Sequence, residues 1–204
     1  MIEAQLDAGF ESGSGFREAF ARQFGDAPNK SRAAKTFAMD WIDTPLGPML
    51  AIADDTHLHM LEFVERKKLQ DHVERYRKHF NATVLPGDSK ALQLIRKELA
   101  DYFAGKSMTF KSKIAGAGTE FQNNVWEELR RVPPGITRSY QEMAERIGRP
   151  AAVRAVANAN RQNRCAIILP CHRVIGTDGT LTGYAGGLWR KQWLLDHEKR
   201  HAKS

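Results

Sequence analysis

Apolar positions along the chain change their period, and each change marks an element. Phenylalanines at 16, 20 and 24 recur every four residues, a single helical stripe that Ser12 or Ser14 can cap and Gly25 can end. Residues 26–35, with Pro28, Asn29 and Ser31, are polar and read as a linker. Residues 37–42 alternate moderately. After the turn chemistry of Thr44-Pro-Leu-Gly-Pro48, residues 49–53 and 57–63 read as two strands of a hairpin around Asp54-Asp55. Residues 69–80 and 89–103 take the helical period, the second with Leu92, Ile95, Leu99 and Phe103 on one face. A capping box, Thr119 to Gln122, opens a helix carrying Phe121, Val125, Trp126 and Leu129, and Val132-Pro-Pro-Gly135 closes it. A second box, Ser139 to Glu142, starts a helix through Ile147. A third helix, 151–161, follows the turn Gly148-Arg-Pro150, so the pair forms a helix-turn-helix pattern. Residues 166–169 form an apolar run, read as a short strand or core segment that Pro170 stops. A last helix is predicted over 188–200.

Charge sharpens this outline. The net charge is +7, and eight arginines between Arg130 and Arg164, against Glu142 and Glu145 alone, supply six of those seven charges. Basic charge gathered in one stretch is the footprint of a polyanion partner, although a solvated basic face is the plainer alternative. No apolar run approaches a membrane span, and the N-terminus lacks the basic start and apolar middle of a signal peptide, so the expected location is the cytoplasm. Cys165 and Cys171 are the two cysteines and have no C-x-x-C spacing; a free thiol suits a reducing compartment. His57 and His59 would share a strand face, but with no third ligand at a metal spacing they read as ordinary strand histidines, and no metal is expected.

The chemistry concentrates at Pro170-Cys171-His172-Arg173-Val174. A thiolate is the nucleophilic form of cysteine, and a base or positive charge nearby favours it. Neighbouring residues in extended chain face opposite ways. Either Pro170 twists the chain or a water relays the proton between Cys171 and His172. The plainer reading is a buried structural cysteine beside a surface histidine. The third helix is thin, with Ala151, Ala152, Ala155, Ala157 and Ala159 around Arg154. Such a helix can press close to a groove wall or pack tightly against its neighbours.

The Pro-Cys-His-Arg-Val run after an aliphatic stretch, followed by Gly183-Tyr-Ala-Gly-Gly187 and Trp193-Leu-Leu195, resembles the O6-alkylguanine-DNA alkyltransferase family over roughly residues 36–200. The resemblance implies a two-domain α/β protein. A ribonuclease-H-like domain would span 36–113, and a mainly α, winged-helix-like domain with the helix-turn-helix would span 114–204. It implies single-turnover repair by a methylated-DNA–[protein]-cysteine S-methyltransferase. O6-alkylguanine, or O4-alkylthymine, would be flipped out of double-stranded DNA and its alkyl group transferred irreversibly to Cys171. No cofactor and no metal would be needed, and the chain would act as a monomer. His172, oriented by Glu198, would be the base; Asn163 would brace the cysteine turn and Tyr140 would meet the everted base. Arg154, with Ala152, Ala155 and Arg161, would contact DNA, Arg154 filling the gap in the stack. Tyr184, Ala185, Gly186 and Gly187 would wall the base pocket, the small Ala185-Gly186-Gly187 run suggesting room for a benzyl group. Residues 1–35 resemble the end of an AraC-type helix-turn-helix whose preceding helices are missing, a remnant and linker. A DNA-binding regulator of an alkylation response is the alternative function.

Overall fold

All five residues of strand β2 (Met49–Ala53) are buried in the computed structural model, which describes residues 35–66, 69–116 and 118–202. A strand apolar on both faces requires a covering layer on each. β2 lies between β1 (Lys35–Ile42) and β3 (Leu58–Phe63), antiparallel to both, and β1 also pairs in parallel with β4 (Ala82–Pro86), giving the order β3-β2-β1-β4. Helix α1 (Leu69–Phe80) links β3 to β4 and sets Leu69, Val73 and Tyr76 against Phe37, Met39, Leu50, Ile52 and Met60 on one sheet face. Helix α2 (Lys90–Phe103), its first turn capped by the Ser89 hydroxyl on the Leu92 N–H, covers the opposite face with Leu92, Ile95, Leu99 and Tyr102.

Three local expectations change. β4 has no counterpart in the sequence pattern, because only Ala82 and Val84 are buried on this sheet-edge strand. Tyr102 rather than Phe103 completes the buried stripe of α2. His57 precedes β3 instead of sharing a face with His59. His59 is fixed between Asp54 and the Tyr76 hydroxyl, and His57 meets the Thr56 hydroxyl, so neither is presented as a metal ligand.

The C-terminal half holds α3 (Glu120–Arg130), α4 (Tyr140–Arg146), α5 (Val153–Arg161) and α6 (Leu188–His201). Both capping boxes form as read. α5 is shorter than expected: the Ala152 N–H turns back to the Arg149 carbonyl, leaving Ala151 in the turn and Ala152 at the cap. Val125, Leu129, Met143, Val156, Ala159 and Val174 make a small core of their own. A parallel pair, β5 (Arg138–Ser139) with β6 (Val174–Ile175), ties the start of α4 to the chain just past Cys171.

Residues 166–169 are a turn and not a strand. Their hydrophobicity serves the other half of the protein: Cys165, Ala166, Ile167 and Leu169 join Leu61, Leu92 and Leu99 in one cluster. The β3 edge holds this segment, with the Leu61 N–H donating to the Arg164 carbonyl and the Ala166 N–H to the Leu61 carbonyl, both at 2.8 Å. An otherwise open strand edge is thereby paired. No helix among the described residues is long and apolar enough to cross a membrane.

Candidate active site

The turn that carries Cys171 is built by its approach. Ile167, wholly buried, sits at φ +71, a region that β-branched residues avoid. Holding it there costs about 1–3 kcal/mol, which the surrounding core must offset. The chain then folds into a single 3-10 turn, Cys171–Arg173, after Pro170. Successive side chains therefore diverge around a tight coil rather than alternating across a strand. His172 is fully buried, whereas Cys171 remains partly exposed.

Behind His172 lies Glu198, completely buried on α6. Its Oε1 is 2.8 Å from His172 Nε2. Arg173 grips both oxygens, Nε to Oε2 and a terminal nitrogen to Oε1, each at 2.8 Å. The Tyr102 hydroxyl donates to Oε1 at 2.9 Å and the Gly135 N–H to Oε2 at 3.3 Å. Burial alone would raise the Glu198 pKa; the His172 and Arg173 contacts outweigh it and hold the carboxyl well below its usual range. An ionised carboxylate only accepts, so Nε2 carries the ring proton and donates it. Burial lowers the His172 pKa despite Glu198, leaving a neutral ring. The other nitrogen, Nδ1, is then a bare lone pair, buried and without a protein partner.

Asn163 organises the turn. Its Oδ1 accepts from the Cys165 N–H at 2.9 Å, and its Nδ2 donates to the Leu169 carbonyl at 2.8 Å and to Cys171 Sγ at 3.1 Å. Burial pushes the Cys171 thiol up, opposed by that amide and by the charges of Arg66 and Lys191. Cys165, by contrast, is sealed in the core and pushed up to about 12. Tyr140 opens α4 half-buried, and burial raises its pKa, so the phenol stays a donor. Its hydroxyl faces Gly183 of the 183–187 loop, where a Cβ would come within 3.8 Å.

That loop closes the site more tightly than its small residues suggest. The hollow beside Cys171 measures about 20 Å³ and is lined by Asn160, Arg161, Tyr184, Ala185 and Gly186, together with Arg66 of the N-terminal half. It matches a water rather than a base. A Cβ at Gly186 would meet the Tyr184 ring at 2.8 Å and Phe63 at 2.9 Å, so this glycine is needed for the ring to lie flat. Gly187, at φ +94, starts α6. Arg154 and Ala155 stand exposed on α5, Ala152 is half-buried at its cap, and Arg161 reaches the rim of the hollow.

Three participants carried no distinguishing sequence signal. Arg66 lies against Glu62 and donates to the carbonyls of Arg161 and Asn163, clamping the end of α5 to β3. Lys191, fully buried with its amine pulled down to about 8, donates to the Val174 and Thr182 carbonyls and so ties the loop to β6. Tyr102 reaches Glu198 from the opposite half. Arg66 and Tyr102 lie far in sequence from the motif they serve, and Lys191, though near it, reads as any helix lysine, so nothing in a local pattern separates these residues from ordinary core or surface ones.

Residues 39–115 match the family model for the 6-O-methylguanine DNA methyltransferase ribonuclease-like domain, and residues 120–200 match that for its DNA binding domain. A methylated-DNA–protein-cysteine methyltransferase of Methanosarcina barkeri is 42% identical over 168 residues, covering 80% of this chain and 98% of that one. The O6-methylguanine methyltransferase of Mycobacterium tuberculosis has a solved structure 40% identical, with a TM-score of 0.70 over 82% of this chain and 96% of its own. A structure of the same organism's OGT in complex with DNA superposes with a TM-score of 0.69 at 40% identity, covering 81% of this chain and 94% of that one.

Proposed function

Because the chain belongs to the 6-O-methylguanine DNA methyltransferase family, we propose that it repairs duplex DNA by moving an alkyl group from O6 of guanine, or O4 of thymine, to Cys171. The observation that carries this reading is a partly exposed Cys171, with the Asn163 amide on its sulfur, next to a buried His172 hydrogen-bonded to Glu198. His172 Nδ1 makes no hydrogen bond to Sγ. The thiol proton therefore passes to Nδ1 through a water. The resulting imidazolium is stabilised by Glu198, whose carboxylate also fixes the tautomer that leaves Nδ1 free.

The thiolate attacks the alkyl carbon. An S–C bond forms as the C–O6 bond breaks, and the electron pair stays on the guanine. Tyr140 donates to the departing purine, and N–H groups of the 183–187 loop face the growing charge on oxygen. The proton lent to His172 returns to the base, so thiol plus alkylguanine become thioether plus guanine. A thioether is a poor leaving group, and no described residue offers a second nucleophile in the site. Each molecule acts once.

An O6 atom inside a stacked duplex cannot reach the floor of a hollow, so the nucleotide turns out of the helix. Arg154, exposed on the thin helix α5, fills the place it leaves, and Ala152, Ala155 and Arg161 flank the backbone. The base enters only if the 183–187 loop moves, since about 20 Å³ does not admit a purine. Intact mass after incubation with methylated duplex tests the reading: one methyl replaces one hydrogen, mapped by peptide to Cys171, and Cys171→Ala gains nothing while still binding DNA. A methyl group on any other residue, or no gain by the unaltered chain, would overturn it.

A further inference from the structure

A second cavity, about 870 Å³, opens beside the Cys171 hollow and shares Arg66, Arg161 and the Tyr184–Gly186 stretch of wall with it. This is within the range of ligand-holding clefts, roughly 300–1,000 Å³. It runs between the two halves, from the end of α5 to α1. Its charge is strongly one-sided. Arg190 pairs with Glu65 and Arg66 with Glu62, but Arg75, Arg161 and Arg164 meet no carboxylate among the described residues. One guanidinium nitrogen of Arg164 is buried and unpartnered. The field is strong enough to be felt by His72 on the same wall, whose pKa burial and then Arg66, Arg75 and Arg164 lower to about 4. At the cleft's rim stands Trp189, 57% exposed, its ring stacked under the Arg190 guanidinium at 4.4 Å.

A cationic groove with an open aromatic face is what unpaired nucleic acid binds: arginines follow the phosphates and a base stacks on the ring. We propose that this interdomain cleft binds a short run of unpaired DNA strand beside the alkyl-transfer site, with phosphates on Arg75, Arg161 and Arg164 and a base on Trp189. The N-terminal half then takes part in substrate binding, and lesions at single-strand junctions are held more tightly than lesions in continuous duplex. The proposal rests on the DNA-repair reading above.

The test uses the full chain, a labelled undamaged duplex with blunt ends, and the same duplex carrying an unpaired thymidine tail at either strand end. Anisotropy titrations over a salt series give affinity and slope. The tail is expected to tighten binding about tenfold. Arg75→Gln/Arg164→Gln is expected to lose that gain and to flatten the tailed-duplex salt slope by about 1.4, two single-strand phosphate contacts at roughly 0.7 each. Its blunt-duplex affinity and its rate of alkyl transfer from saturating blunt methylated duplex should stay at the unaltered level. Binding the tail should quench tryptophan emission, and Trp189→Phe should remove that quenching. A tail that adds no affinity, a gain that survives in the double variant, or equal losses on blunt and tailed DNA would each overturn the proposal. Because affinity is read on undamaged DNA, a failure of alkyl transfer itself would sink the repair reading separately.

Discussion

Glu198→Gln removes one charge at nearly constant volume and so isolates what the carboxylate does. Five donors converge on it: the Tyr102 hydroxyl, His172 Nε2, two nitrogens of Arg173 and the Gly135 N–H. A glutamine side chain keeps one acceptor oxygen and presents an amino group where the other stood. Whichever way it turns, donor faces donor, and the buried Arg173 guanidinium loses the counter-charge that Glu198 supplied. Breaking a buried ion pair costs about 3–5 kcal/mol. For a chain of this size that lowers the melting temperature by roughly 6–20 °C. The chemical consequence is separate. Without a carboxylate holding the proton on Nε2, His172 no longer offers a dependable lone pair at Nδ1, and general-base assistance is worth about 10²–10⁴-fold. Second-order alkyl transfer from methylated duplex, measured below the variant's melting range, should fall by that factor while DNA affinity holds. A variant that melts with the unaltered chain and reacts at its rate would refute the assignment of Glu198 as the group behind the base.

Three further outcomes follow from the same geometry. Arg154→Ala should slow repair of duplex DNA while leaving the reaction with free O6-methylguanine base unchanged, since an exposed side chain on α5 touches no part of the Cys171 hollow; equal losses on both substrates would exclude a role in the stack. Asn163→Ala strands the Cys165 N–H, at about 1–3 kcal/mol by urea unfolding, while the Leu169 carbonyl keeps the Cys171 N–H, and it raises the thiol pKa read from the pH dependence of iodoacetamide labelling; an unmoved pKa would show that the amide does not support the thiolate. Stability should fall on acidification in two stages, measured as melting temperature against pH. His172 has a lowered folded pKa, so its neutral form is favoured by folding and stability drains away as pH drops below its ordinary 6.5. Glu198, also lowered, adds a second loss below its ordinary 4.5, which Glu198→Gln should flatten.

Local chemistry made much of this protein legible. Period and caps placed α1, α2, α3, α4 and α6, because amphipathic stripes and Ser/Thr boxes act within a few residues. The Pro-Cys-His-Arg run and its flanks pointed to the family by motif alone. The same residues could not say how Cys171 and His172 are arranged, since the answer lies in a 3-10 turn forced by a strained, buried Ile167. The apolar run before it looked like a strand because burial, whatever its cause, selects the same side chains. Here it fills the face of a sheet more than 100 residues away in the chain, beside Leu61. β4 escaped because an edge strand with one solvated face needs little hydrophobicity.

What the sequence determined by itself was the candidate nucleophile, its neighbour and the basic helix-turn-helix, all carried by residues adjacent along the chain. Only the tertiary structure decided that His172 is neutral with Nδ1 free, that Arg66 and Tyr102 of the first half pack into the candidate site of the second, and that a cationic cleft lies between them. Those properties depend on burial and on contacts between distant segments. Burial sets the cost of charge and the long-range contacts offset it, and neither quantity exists until the chain has folded.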